Sequence, residues 1–353
     1  MTPGPRDPRR ERGERRGVLC GGSIMVDVNK TIDRWPEEDG IALIEGETSD
    51  SGGPGFNLAV DLSRLGAPFP VEVVGVIGDD AHGALVREVC RAAGLGTAAL
   101  ASLQGLRTSH TDVMIVKDDG RRTFFHDPGA NARLAPEHFD LALRVSGARI
   151  LHLGAPGIHE AMDRERPGGN GWAEVLSRAR AAGMWTNLEL VTLDPARQRA
   201  LALPCLPHLD SMVVNELEAG ALAGIDTHRD GAPDFDRAEA AARRLLQLGV
   251  RELAVVHFPA GAVAAARDGR AFRQGSVRVP SEEVKSTNGA GDAFASGVVL
   301  GLHEGWPPER CLEAGACVAA VSLGAFSTSG AIRPIEECLA HGRARGFLGI
   351  SGP

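Results

Sequence analysis

Two kinds of hydrophobic spacing alternate along this chain. Short runs that are apolar almost throughout occur at residues 18–28 (VLCGGSIMVDV), 71–78 (VEVVGVIG), 148–154 (ARILHLG), 183–190 (GMWTNLEL), 211–216 (SMVVNE) and 252–258 (ELAVVHF). Runs of this length, rich in β-branched residues, predict strands buried on both faces. Between them, 56–66, 82–94, 172–182 and 237–248 carry apolar residues at helical spacing, the first two ending on glycines suited to a C-cap. Strand-helix alternation of this kind implies parallel pairing and a three-layer α/β/α sandwich with a mostly parallel central sheet. Two segments break the rhythm. Residues 29–51 are polar and irregular, and 108–128 contain two strand-like runs around an Asp-Gly turn, a hairpin signal. They predict a small β-sheet lid on a single domain spanning 18–342, with a C-terminal tail over 343–353.

Composition narrows the function classes. The chain has 353 residues, 43% hydrophobic, and 46 acidic against 38 basic residues give a net charge of −8, so no overall phosphate-backbone footprint is expected. The first 17 residues are rich in Pro, Gly and Arg without an apolar face, which predicts a disordered basic tail. No apolar run reaches membrane-spanning length. The six cysteines, at 20, 90, 205, 311, 317 and 338, form no Cys-x-x-Cys pair. Reduced thiols and a cytoplasmic location are the expectation.

Candidate chemistry gathers in two glycine-rich stretches. The P-loop, Gly-x-Ser-x-Gly and His-Glu-x-x-His patterns do not occur. In KSTNGAGDAFASG (285–297), glycines precede a small-residue helix, whose first N–H groups make a ready anion site. Asp292 falls in its first turn, where a carboxylate beside an anion hole can take a proton from a hydroxyl as a phosphoryl group is transferred. An ordinary capped helix start is the bland alternative. In SGGPGFNLAVDLSRLG (51–66), Gly52 and Gly53 let backbone approach a small polar ligand and Asn57 offers a donor and an acceptor. Asp27, closing the first strand, adds an acceptor for hydroxyls.

These two stretches, in this order, resemble the signatures of the ribokinase-like, PfkB family of carbohydrate kinases, and the resemblance covers essentially everything after the tail. It implies ATP-dependent phosphorylation of an alcohol group on a sugar or nucleoside, with a lid that closes over the acceptor and can mediate a homodimer. Asp292 matches the family's catalytic base, and Gly289, Ala290 and Gly291 match its anion hole. Asp27, Gly52, Gly53, Asn57 and Asn131 match acceptor-binding positions. Asn215 and Glu218, in NELE, match residues that organise Mg²⁺ and phosphate through water, although a plain helix cap reads the same way. Gly261 matches a glycine of the nucleotide loop.

Three departures stand out. Ser286 replaces an acidic residue that helps bind a monovalent cation, which leaves potassium dependence open. Phe258 replaces a nucleotide-loop glycine, and Asn187 and Glu189 stand where an Asp-x-Asn pattern is common. The leading reading is a sugar kinase acting on a hydroxyl, a primary one, with ATP and Mg²⁺ as cofactors. A nucleoside kinase with Phe56, Phe124 and Phe125 walling a base, and a non-catalytic sugar or nucleotide sensor, are the alternatives. Neither nucleic acid nor membrane is an expected partner.

Overall fold

The computed structural model describes residues 15–118 and 120–350. Nine strands form the main sheet: β1 Val18–Gly22, β4 Val71–Gly78, β5 Gly96–Leu103, β8 Ile150–Gly154, β9 Trp185–Leu188, β10 Ser211–Asn215, β11 Leu253–Phe258, β12 Gly261–Ala266 and β13 Ala271–Gly275. Their order is β13-β12-β11-β10-β9-β8-β1-β4-β5. The stretch from β11 to β5 is parallel throughout, as the alternation predicts. The β11-β12 and β12-β13 pairs are antiparallel, an addition the alternation did not signal. Phe258 pairs with Gly261, so only Pro259 and Ala260 connect the two strands. A turn that short permits antiparallel pairing alone.

Helices cover both faces. Pro54–Arg64, Ala81–Ala92, Ala290–Glu304, Pro308–Ser322 and Ile335–Arg345 pack one core, around residues such as Phe56, Val73, Phe294 and Val318. Gly171–Ala181, Glu216–Ala223 and Phe235–Leu248 pack the other, around Leu151, Trp172, Val214 and Leu245. All six cysteines are buried and free. Among the described residues, no helix is long and apolar enough to cross a membrane.

The lid is a separate four-stranded sheet, ordered β3-β2-β6-β7, from β2 Met25–Ile32, β3 Ile44–Gly52, β6 His110–Val116 and β7 Arg122–Asp127. Residues 18–28 are therefore two strands rather than one. Gly22, at φ 98°, packs against the Gly154 carbonyl where a side chain has no room, and the chain turns there out of the main sheet. Asp27 consequently sits within the lid, not at the end of the first main-sheet strand. Residues 1–14 of the expected tail lie outside the described residues. Arg15, just after them, is anchored by donating to the Ala148 and Ser146 carbonyls at 2.7 Å each. At the other end, the segment expected as a tail continues a helix to Arg345 and then pairs Phe347 with Val277.

Candidate active site

The site forms where the lid, the helix Pro54–Arg64 and the start of the helix Ala290–Glu304 meet beyond the strand ends. Gly289 caps the last of these at φ 76°, and a Cβ there would stand 2.9 Å from Thr328 Cβ. Only glycine suits that position. The N–H groups of Ala290, Gly291 and Asp292 belong to the first turn, where helical geometry supplies no carbonyl partner at i−4. Ala290 makes only a long turn bond, 3.3 Å to the Thr287 carbonyl. The predicted anion hole and the predicted base therefore occupy one helical turn.

Asp292 Oδ2 accepts a 2.7 Å hydrogen bond from Asn57 Nδ2, which joins the two glycine-rich stretches across the cleft. Asn57 Oδ1 is buried without a partner, an acceptor open to a ligand hydroxyl. Gly53, at φ 89°, begins this helix with no room for a side chain beside the Ser23 carbonyl. At Gly52 a Cβ would run into the Asp27 carboxyl. The two glycines thus let Asp27 and Asn57 face the same space. Asn131 lies deeper: its Nδ2 donates to the Ile24 carbonyl at 3.1 Å, it is fully buried, and its Oδ1 is unpartnered.

Burial and like charge dominate the electrostatics. Burial, followed by the neighbouring Glu189 carboxyl, raises the Asp292 pKa to about 8. Glu189, only 5% exposed and beside Asp292, is raised by burial to about 8. Burial and then the charge of Asp292 take Asp27 to about 7. His152, 3.3 Å from Glu189, is lowered by burial to about 4 and is neutral at ordinary pH. Asp61 is fully buried and also well raised by desolvation. Glu189 and Asp61 were not singled out as site residues from sequence. For Asp61 the signal was available, since it lies one helical turn after Asn57.

Asn215 and Glu218 form a reciprocal capping box. Glu218 N–H donates to Asn215 Oδ1 at 2.9 Å, and Asn215 N–H donates to Glu218 Oε2 at 3.1 Å. Thr192 also donates to Glu218 Oε1 at 3.1 Å. Both Glu218 oxygens are thus engaged, so this carboxylate is suited to hold a water on Mg²⁺ rather than the ion itself. Burial raises its pKa to about 7.

Next to the anion hole lies a cavity of about 1020 Å³, lined by Asn215, His257, Val277, Phe294, Ala316 and Leu348 among others. The helix Pro308–Ser322 forms part of its wall through Ala316, Ala319 and Ala320, and Leu348 comes from the segment expected as a tail. Leu348 N–H donates to the Ser276 carbonyl at 2.8 Å. Gly261 also lines this cavity, but as a strand residue against the Gln274 carbonyl and the Phe235 ring. Phe258, where the family pattern has a glycine, pairs with Gly261 and closes the two-residue hairpin. His257, lowered to about 4 by burial, packs 3.3 Å from where a Gly291 Cβ would stand. Ser286 Oγ accepts from Arg122 of the lid at 2.6 Å and from Asn288 N–H at 3.0 Å.

Comparison with known proteins agrees with this geometry. Residues 15–335 match the description "pfkB family carbohydrate kinase". The chain is 28% identical to a ribokinase of Arabidopsis thaliana over 312 residues, covering 87% of this chain and 76% of the relative. It is 29% identical to an ATP-dependent ribose-1-phosphate kinase of Halopiger xanaduensis over 310 residues, covering 86% and 90%. The solved structure of Arabidopsis thaliana ribokinase with ribose and ATP superposes with a TM-score of 0.77 at 24% identity, covering 92% of this chain and 98% of the other.

Proposed function

The chain belongs to the pfkB family of carbohydrate kinases, and from that premise we propose that it transfers the γ-phosphate of ATP to a hydroxyl, a primary one, of a small carbohydrate, with Asp292 as general base. The observation that carries this reading is the Asn57–Asp292 hydrogen bond at the N-terminus of the helix Ala290–Glu304. It puts a proton acceptor and an anion hole in one helical turn and a hydroxyl acceptor on the facing helix.

The acceptor lies between Asp27, Asn57 and Asp292, its hydroxyls donating to Asn57 Oδ1 and the Asp27 carboxyl. Asn131 orders the lid hinge beside it through Ile24. As the hydroxyl oxygen attacks, its proton passes to Asp292, and the N–H groups of Gly289, Ala290 and Gly291 stabilise the negative charge spread over the transferring phosphoryl group. The lid excludes water, which would otherwise take the phosphate. Mg²⁺, when bound, neutralises charge on the β- and γ-phosphates. Glu218 and Asn215 would hold it through water, and ATP would lie along residues 289–292 with its base in the large cavity, near Gly261.

A nucleoside acceptor needs an aromatic wall, and that wall is thinner than the sequence implied. Phe56 is buried in the core, and Phe125 stacks on Trp35 at 6.1 Å. Register puts Phe124, Thr111 and Asp27 on one lid face and Phe125 on the other. Only Phe124 remains for a base, which favours a bare sugar. The sensor reading is disfavoured by the intact base and helix turn. The other lid face exposes Trp35 and Phe125, which supports a lid-to-lid dimer that equilibrium sedimentation would test.

The test of activity is ADP release with Mg·ATP across pentoses, hexoses, sugar acids, sugar phosphates and nucleosides, with and without potassium. Acceptor-dependent ADP from a sugar supports the reading, and ADP from nucleosides alone replaces it with the nucleoside kinase. Ligand binding without turnover on any acceptor would move the reading to the sensor. Equal rates without potassium are the result expected from Ser286 and its Arg122 partner.

A further inference from the structure

A row of polar side chains crosses the middle of the main sheet and ends at the proposed base. His152, Asn187 and Ser211 are register neighbours on β8, β9 and β10. Trp185 Nε1–H donates to Ser211 Oγ at 2.8 Å, and the Ser211 proton goes to Asn187 Oδ1, also at 2.8 Å. This orients the Asn187 amide with Nδ2 toward His152 Nδ1, 2.9 Å away. Nδ1 therefore accepts, and the neutral ring carries its proton on Nε2. Nε2 faces Glu189 Oε2 at 3.3 Å, and neither atom makes a hydrogen bond, so each is the nearest polar partner open to the other.

Glu189 follows β9 directly, anchored by its N–H to the Leu153 carbonyl at 2.9 Å, and its carboxyl lies beside that of Asp292, each shifting the other's ionisation. Two ionised carboxylates offer only acceptors, so side by side in a buried site they are compatible only with a proton between them. We propose that Glu189 is a positioning residue for phosphoryl transfer: it shares one proton with Asp292, is itself oriented by the Trp185–Ser211–Asn187–His152 row, and holds Asp292 in one orientation toward the acceptor hydroxyl. This rests on the reading of Asp292 as the base.

The other titratable groups bearing on the pair are Asp27 from the lid, Asp61 from the helix Pro54–Arg64 and Glu218, all carboxyls, with His152 neutral. Asn57 faces Asp292 as an uncharged donor, and Arg64 acts on Asp61 rather than on the pair. Surroundings of that sign oppose ionisation of both partners at once. In the active form the shared proton is on Glu189 and Asp292 is the anion. The bond from the acceptor oxygen to phosphorus forms as the bond to the ADP oxygen breaks. The hydroxyl proton moves to Asp292, and the doubly protonated pair then releases one proton to solvent.

Two experiments separate this inference from the activity reading. Infrared spectra of the ligand-free protein at pH 7 need no acceptor: wild type minus Glu189→Gln should show the loss of a protonated-carboxyl band from the Asp292 partner, and superimposable bands overturn the proposal. Once an acceptor is known, kcat/KM in wild type should rise with pH as the doubly protonated pair loses its first proton and fall again as it loses the shared one, and Glu189→Gln, which has no shared proton to lose, should keep the rise and lose the fall. The same fall at high pH in Glu189→Gln overturns the proposal. Glu189→Ala should lower kcat more than Glu189→Gln with little change in acceptor KM, because the amide can still accept from His152 and donate to Asp292. Equal losses in kcat would overturn the positioning role. If no acceptor is turned over but the infrared band is lost, the proton-sharing pair stands and the assigned activity does not.

Discussion

On the acceptor side of the cleft, Asp27, Asn57, Glu189 and Asp292 crowd together, each constrained by a named neighbour or by a glycine that leaves it space. On the nucleotide side, a cavity of about 1020 Å³ is bounded largely by Val277, Phe294, Leu348 and small alanines. The first region selects by paired polar groups, where one unpartnered atom costs free energy in a buried setting. The second holds a flat ligand by shape, where one lost contact is spread over many others. Substitutions on the two sides should therefore differ in size and in the kinetic constant they move.

The sharpest form of that contrast is Asp292→Asn, expected to cut kcat roughly 100-fold to 10,000-fold at saturating acceptor and Mg·ATP. Near-normal turnover would remove the base assignment. Gly289→Ala comes next, because its φ of 76° and the close Thr328 side chain force the turn to shift. A misplacement of about 1 Å in a catalytic constellation costs on the order of 100-fold, to be read as kcat with a circular dichroism spectrum like that of wild type. Asn57→Ala removes both the Asp292 contact and the free Oδ1. It should lower acceptor kcat/KM by about 10- to 100-fold, the worth of a hydrogen bond to a charged group, while KM for ATP stays near wild type.

On the nucleotide side, Leu348→Ala should raise KM for ATP by a factor of about 10 or less, consistent with partial loss of one aliphatic contact on the cavity wall, and leave acceptor KM alone. A larger effect on the acceptor would break the division between the two regions. The smallest effect concerns stability. Asp27, Glu189 and Asp292 are raised to about 7, 8 and 8 in the fold, against roughly 4 when unfolded. Between those values the native state binds more protons, so their stabilising contribution is complete below about pH 4 and is lost as pH rises through 7 to 8. The ligand-free Tm should fall by a few degrees from pH 6 to pH 8.5, and Asp292→Asn should flatten that slope.

The same division explains what could be read from sequence. The catalytic turn and the Asn57 helix were legible because glycines at fixed offsets from a polar residue mark backbone that must turn or be approached closely, and both stretches are continuous in the chain. The parallel sheet was legible in runs such as β10, buried along almost its whole length. Glu189 appeared only as a departure from a pattern, since its meaning depends on β8-β9 register, which brings His152 beside Asn187. Leu348 carried no signal, because a terminal segment becomes a cavity wall only through its pairing with β13's continuation at residues 276–278. The split of residues 18–28 between two sheets was likewise hidden, since one apolar run suits either a single strand or two.

The central claim is that phosphoryl transfer takes place at the turn formed by residues 289–292. Its most direct test is a crystal structure with the identified acceptor, Mg·ADP and a planar fluoride analogue of the transferring phosphoryl group. The account predicts the reacting hydroxyl oxygen at about 3 Å from the Asp292 carboxyl, with the analogue against the N–H groups of residues 289–291. An acceptor bound with no hydroxyl in reach of Asp292, or an analogue seated away from that helix turn, would contradict it.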